Sequence, residues 1–151
     1  MKSLISACIA GAFALGFVGA ASAEEWVDYT PLKGVWIKTM VHVEPSRIDD
    51  YLVGLKKTWV PSEEVLKKKG LIDNYRVQVS ISPNTTGPNV ALIEHYVSMA
   101  ALDPDRERDM ALDKEFQKML PKAEGTAIQA DRSKWRTQVR EEMWGDVEFT
   151  K

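Results

Sequence analysis

The chain is 151 residues long, 44% hydrophobic and 28% charged, which suits one domain with a core of its own. Its 20 Lys and Arg nearly cancel its 22 Asp and Glu, so no broad cationic face exists to hold a nucleic acid. A single Cys excludes a disulfide-stapled fold and any zinc site built from several thiolates.

Residues 4–21 carry no charge, follow Lys2, and end in Ala21, Ser22 and Ala23 ahead of Glu24 and Glu25. A basic head, an apolar middle and small residues at the exit spell a secretory leader, residues 1–23. A membrane anchor is the rival, but three glycines in the run and the acidic exit favour cleavage after Ala23. The expected product is one domain, residues 24–151, secreted or periplasmic and without an anchor. It lacks Cys8, and its stability must come from packing.

Beyond Pro31, residues 35–44 alternate apolar with mixed side chains and are rich in β-branched types, which predicts a strand. Pro45 stops it, and Ser46 with Asp49 resembles a capping box. Ile48, Tyr51, Leu52, Leu55 and Trp59 then recur at helical spacing. Pro61 is expected to interrupt this helix, Ser62 to recap a second piece over residues 63–69, and Gly70 to end it. Tyr75, Val77, Val79 and Ile81 alternate with polar residues. The turn-rich residues 83–88 join this strand to another apolar run, residues 90–102, as an antiparallel pair.

Asp103, Pro104 and Asp105 open a helix whose buried stripe is Leu112, Phe116, Met119 and Leu120. Pro121 and Gly125 separate it from a further helix carrying Ile128, Trp135, Val139 and Met143, which Gly145 ends. Val147 and Phe149 alternate with Asp146, Glu148 and Thr150 in a terminal strand. The order is βαββαβ, an α+β ferredoxin-like arrangement in which helices cover one face of a four-stranded antiparallel sheet.

Strand alternation sorts the two faces. Val35, Ile37, Val41, Val43, Val77, Val79, Ile81, Ile93, Val97, Val147 and Phe149 are assigned to the helices. Trp36, Lys38, Met40, His42, Arg76, Gln78, Ser80, Leu92, Glu94, Tyr96 and Glu148 are assigned to the open face. That face is too apolar to be fully wet and too charged to be a dry core, so a pocket or a subunit interface is expected there.

With this element order over residues 35–150, and with Leu92, Ile93, Glu94, His95, Tyr96, Val97 and Ser98 leading into a helix, the chain resembles the dimeric α/β-barrel superfamily. That group includes antibiotic-biosynthesis-type monooxygenases, NIPSNAP-like and stress-responsive barrel proteins. The resemblance implies a homodimer that pairs two sheets into a barrel and holds a small organic ligand between each sheet and its helices. A cofactor-independent or haem-assisted monooxygenase is the enzymatic version. Haem on His42 or His95 is implied only by analogy to haem-degrading relatives; otherwise no cofactor and no metal is expected. The leader, the extended second helical region and the long turn depart from the family pattern.

His42 and His95 are the only histidines, which excludes a site built from several His ligands. The blander reading makes each a hydrogen-bonded structural residue. The sharper one lets His42 or His95, with Glu94, polarise or deprotonate a ligand beside Tyr96. Trp36, Lys38, Met40, Arg76, Gln78 and Glu148 are the expected ligand contacts, with Arg76 offering a bidentate fork to a carboxylate. Lys38, Arg76, Glu94 and Glu148 read equally well as an interstrand ion network. The acids Asp103, Asp105, Asp109 and Asp113 lack a calcium-loop pattern and suit a helix start. A purely structural dimer without a ligand is the third reading.

Overall fold

The computed structural model describes residues 22–82 and 86–151. The expected leader therefore lies outside the described residues except for Ser22 and Ala23, as do Pro83, Asn84 and Thr85 of the expected turn. Among the described residues no helix is long and apolar enough to cross a membrane.

The elements in chain order are β1 (Tyr29–Pro31), β2 (Val35–Val43), α1 (Ile48–Lys57), α2 (Trp59–Lys68), β3 (Ile72–Val79), β4 (Val90–Tyr96), α3 (Arg106–Met119), α4 (Lys122–Lys134), β5 (Arg136–Trp144) and β6 (Val147–Phe149). The main sheet runs β3-β4-β2-β5 with every neighbour antiparallel. Taken in chain order, its strands lie second, third, first, fourth, which is the ferredoxin-like arrangement expected from the element order. The helices cover one face of this sheet.

Four expectations change. Residues 136–144 form the edge strand β5 and do not continue α4, and the terminal strand pairs with Tyr29–Pro31 in a separate two-stranded sheet. Glu148 consequently lies off the four-stranded sheet, opposite Thr30. The helix break falls at Thr58, not at Pro61. Pro61 is the third residue of α2, and it cannot supply the N–H that would bond back to residue 57, so the helix resets just before it. Ser46 makes no cap bond to α1, which starts after a 3₁₀ turn, Pro45–Arg47.

The stripe on α1 does what its spacing predicts. Tyr51 and Leu55 join Val41, Val43, Val90 and Leu92 in the core, with Ile48, Leu52, Trp59 and Val77 packed around them. Each Val- or Leu-sized side chain so buried contributes about 1.5–3 kcal/mol. Asn89 closes the end of β2: its side chain accepts from Val43 N at 2.8 Å and donates to Val43 O at 2.7 Å. This amide stands in for a strand neighbour and leaves no ladder group of Val43 unpaired.

Candidate functional site

Pairing register decides which side chains share a face. Val35 stands opposite Tyr96, Ile37 opposite Glu94 and Thr39 opposite Leu92. Leu92, Glu94 and Tyr96 therefore lie on the helix-covered side, while Ile93 and His95 join Trp36, Lys38, Met40, His42, Arg76 and Gln78 on the open side. This inverts the expected phase of β4. The strand is central and apolar on both faces at Leu92 and Ile93, so alternation within it carries no phase.

The open face is closely partnered. His95 stacks beside Trp36 with ring centroids 4.5 Å apart, and its Nδ1 lies 2.6 Å from Asp73 Oδ1. Arg76 lies over Trp36 at 4.9 Å and Lys38 over Trp144 at 4.4 Å. Trp36 Nε1 donates to Asp146, and Arg140 pairs with Glu142. Ile93, between Lys38 and Arg76 in the register, is only 2% exposed. Trp36, Lys38 and Arg76 meet Trp144 and Asp146 around a recess of about 170 Å³. Met40 and Gln78 line a wider hollow of about 520 Å³ at the other end. Among the described residues its lining has no charged side chain, and so little to fix a ligand's orientation.

The structure does not bring the expected His–Glu pair together. His42 Nδ1 is 2.7 Å from Gly87 O, and both His42 and His95 face away from Glu94 and Tyr96. His95 has its Nδ1 on Asp73, and its Nε2 lies 2.5 Å from where a Cβ on Gly34 would stand, so that nitrogen is crowded by the backbone. No histidine lines the cavity under the helices, and among the described residues no cluster of three His, Cys, Asp or Glu could hold a metal ion.

The covered side carries two uncommon groups of charge. In the first, Glu63 of α2 is 3% exposed and its Oε2 has no hydrogen-bond partner. Burial, reinforced by the nearby Glu94 charge, pushes the Glu63 carboxyl up to about 8. Burial also raises Glu94, although Trp59 Nε1 donates to its Oε1 at 3.2 Å and Tyr96 steadies it; the charge of Glu141 adds to the rise. Tyr96 is raised in turn, first by burial and then by the two carboxylates.

In the second group, Arg132 of α4 is 7% exposed with Nε and Nη1 unpartnered. Burial lowers its proton affinity, and the positive charge of Arg136 acts in the same direction. Arg136 Nη1 donates to Tyr51 OH at 3.0 Å. Both arginines line a cavity of about 360 Å³ whose apolar walls are Leu55, Trp59, Leu92 and Leu120. Trp59 stands at the boundary between the two groups, with its ring on the cavity and its N–H on Glu94.

Glu63, Arg132 and Arg136 are not among the residues the sequence reading singles out. A signal for Glu63 was present: it continues the i, i+4 series Tyr51, Leu55, Trp59 and so occupies an apolar-stripe position. Arg132 likewise follows Ile128 at i+4 on α4. Arg136 lies in the segment taken for helix.

No protein-family model matches the chain, and no curated protein resembles it in sequence. Solved structures that resemble it include HapK from Hahella chejuensis, with 11% identity over 73% of this chain and 90% of that one at a TM-score of 0.45. A dimeric ferredoxin-like protein of unknown function from Thermobifida fusca has 9% identity over 76% and 91% at 0.41. A dimeric ferredoxin-like protein from an uncultured marine organism has 10% identity over 79% and 91% at 0.46. The likeness is one of fold, already visible in the chain's own strand order.

Proposed function

We propose that the mature chain is an exported homodimer that binds a small, partly apolar organic molecule between its sheet and its helices. The observation that carries this reading is the cavity of about 360 Å³, walled by Leu55, Trp59, Leu92 and Leu120 and edged by two arginines. Apolar walls with a few placed polar groups are the make-up of small-molecule sites. Export is supported by the leader-like residues 1–23. Pairing through the open face is supported by its mix of Trp36, Met40 and Trp144 with Lys38 and Arg76, which suits an interface with an aromatic centre and charged surroundings. Native mass spectrometry of freshly purified protein tests both parts: a dimer mass with a retained small molecule is expected. A monomer removes the pairing. A dimer that never carries or takes up an organic molecule leaves a purely structural assembly.

A second, catalytic reading is favoured by the Glu63 and Glu94 carboxyls. An acid that titrates near 8 can hold or release a proton at neutral pH, behind a tryptophan that walls the cavity. A monooxygenase-like reaction on the bound molecule would use these groups in place of a histidine. Glu94→Gln should then abolish turnover of any substrate found while leaving its binding intact. Unchanged turnover in that variant ends the catalytic reading.

A further inference from the structure

We propose that the molecule held in the cavity is an organic acid, with its carboxylate on the Arg132 guanidinium and its apolar body against Leu55, Trp59, Leu92 and Leu120. This rests on reading that cavity as the ligand site. A buried guanidinium without partners is costly, and folded proteins keep such groups paired. The two carboxylates that share a recess with Arg132 on its other side are engaged elsewhere: Asp50 by Arg47 at 3.1 Å and Asp131 by Lys134 at 2.7 Å. What faces Arg132 instead is the Tyr51 ring, 5.6 Å from the guanidinium carbon.

The cavity has two cations and no carboxylate in its lining. Its remaining polar groups are neutral, and two of them, Thr58 and Ser62, spend their hydroxyls on the carbonyls of Gly54 and Thr58. A carboxylate gives the two cations of this lining an anionic partner that a neutral or cationic ligand lacks. The Arg132 stem is also held in place. A Cβ on Gly54 would stand 2.6 Å from Arg132 Cδ and 3.0 Å from Cγ, so the arginine stem crosses α1 through the space this glycine leaves. Fixing the stem beforehand reduces the ordering that a ligand must supply.

The test compares 3-phenylpropionate with 3-phenylpropan-1-ol, an acid and a neutral alcohol of one shape, by calorimetric titration of the purified protein. The acid is expected to bind at least about tenfold more tightly, in line with a charged hydrogen-bonded contact. Arg132→Met should weaken the acid more than the alcohol and so shrink that difference, Arg136 keeping the remainder. The same variant, free of ligand, should melt about 3 °C or more higher, since it removes an unpaired buried charge. Equal binding of acid and alcohol by the unaltered protein, a comparison that needs no variant, overturns the acid assignment and leaves the cavity reading standing. Failure of both probes at millimolar concentration, together with no organic anion extracted from fresh protein, overturns both.

Discussion

The two faces of the main sheet treat charge in opposite ways. On the open face His95 has Asp73, Arg140 has Glu142, and Lys38 and Arg76 lie on tryptophan rings. These groups also have water to fall back on. On the covered face, where water is excluded, Glu63 keeps one carboxyl oxygen without a partner and Arg132 keeps two of its nitrogens bare. A fold selected for stability alone would show the reverse, since unpaired charge costs most where it is most buried. The side that looks busiest is settled. The side that looks like core holds the unspent chemistry.

The largest test of this contrast is pH. Folded Glu63 keeps its proton up to about 8, while the unfolded chain releases it near the ordinary 4.5. Between those values the folded state binds more protons, so stability is fully present below the lower one and falls as pH rises through the higher. One pKa unit is worth about 1.4 kcal/mol, which suggests a loss of about 2–4 kcal/mol between pH 5 and 8. Urea midpoints at pH 5, 6.5 and 8 measure it, and Glu63→Gln should flatten the curve. A flat curve in the unaltered protein would mean that Glu63 is hydrated or paired, and the difference between the faces would be lost.

Next in size is a change on the open side. Gly34 sits at φ +95°, and an added Cβ would stand 2.5 Å from His95 Nε2 and 2.7 Å from the Tyr96 carbonyl. Gly34→Ala is expected to cost about 1–3 kcal/mol by thermal melting, because backbone strain and a blocked ring add together. A neutral result would show that the Trp36 and His95 stack is loose. On the covered side Trp59→Phe removes the indole N–H from Glu94. A loss of about 1 kcal/mol at pH 7 is expected, with Glu94 driven further up and the stability curve made steeper with pH.

The fold was largely legible before the coordinates, because α1 and the strands β2 and β3 carry clean periodicities of their own. The misreadings share a cause: the deciding contact lies outside the segment. Trp135, Val139 and Met143 recur every four residues among good helix formers, so residues 136–144 look helical. Pairing with β2, through seven partners from Trp36 to His42 and an eighth at Val43, makes them a strand. β4 has apolar residues on both faces, so only its neighbours reveal that Glu94 and Tyr96 face the helices. On the open face Trp36, Lys38, Met40, His42, Arg76 and Gln78 stand where alternation places them, whereas Leu92, Glu94 and Tyr96 lie on the covered side and Glu148 lies off the sheet. The covered site was legible only as a charge on an apolar stripe at Glu63 and Arg132, a pattern that demands attention to the exception within the period.

The smallest expected effect separates a free open face from a covered one. Lys38 Nζ stands 4.4 Å from the centre of the Trp144 ring, and Trp144 is 51% exposed in a single chain. An exposed cation on an aromatic face contributes about 0.5–1 kcal/mol, and a desolvated one about 2 kcal/mol. Lys38→Ala should therefore cost about 0.5 kcal/mol in dilute protein, where a monomer would dominate. If a second copy covers this face, the cost should grow with protein concentration, since the contact is then dried by association. Melting curves of both proteins across a hundredfold range of concentration read the difference directly. A loss independent of concentration would mean that the stacked cations on this side are settled by water alone, and that the partner, if there is one, binds elsewhere.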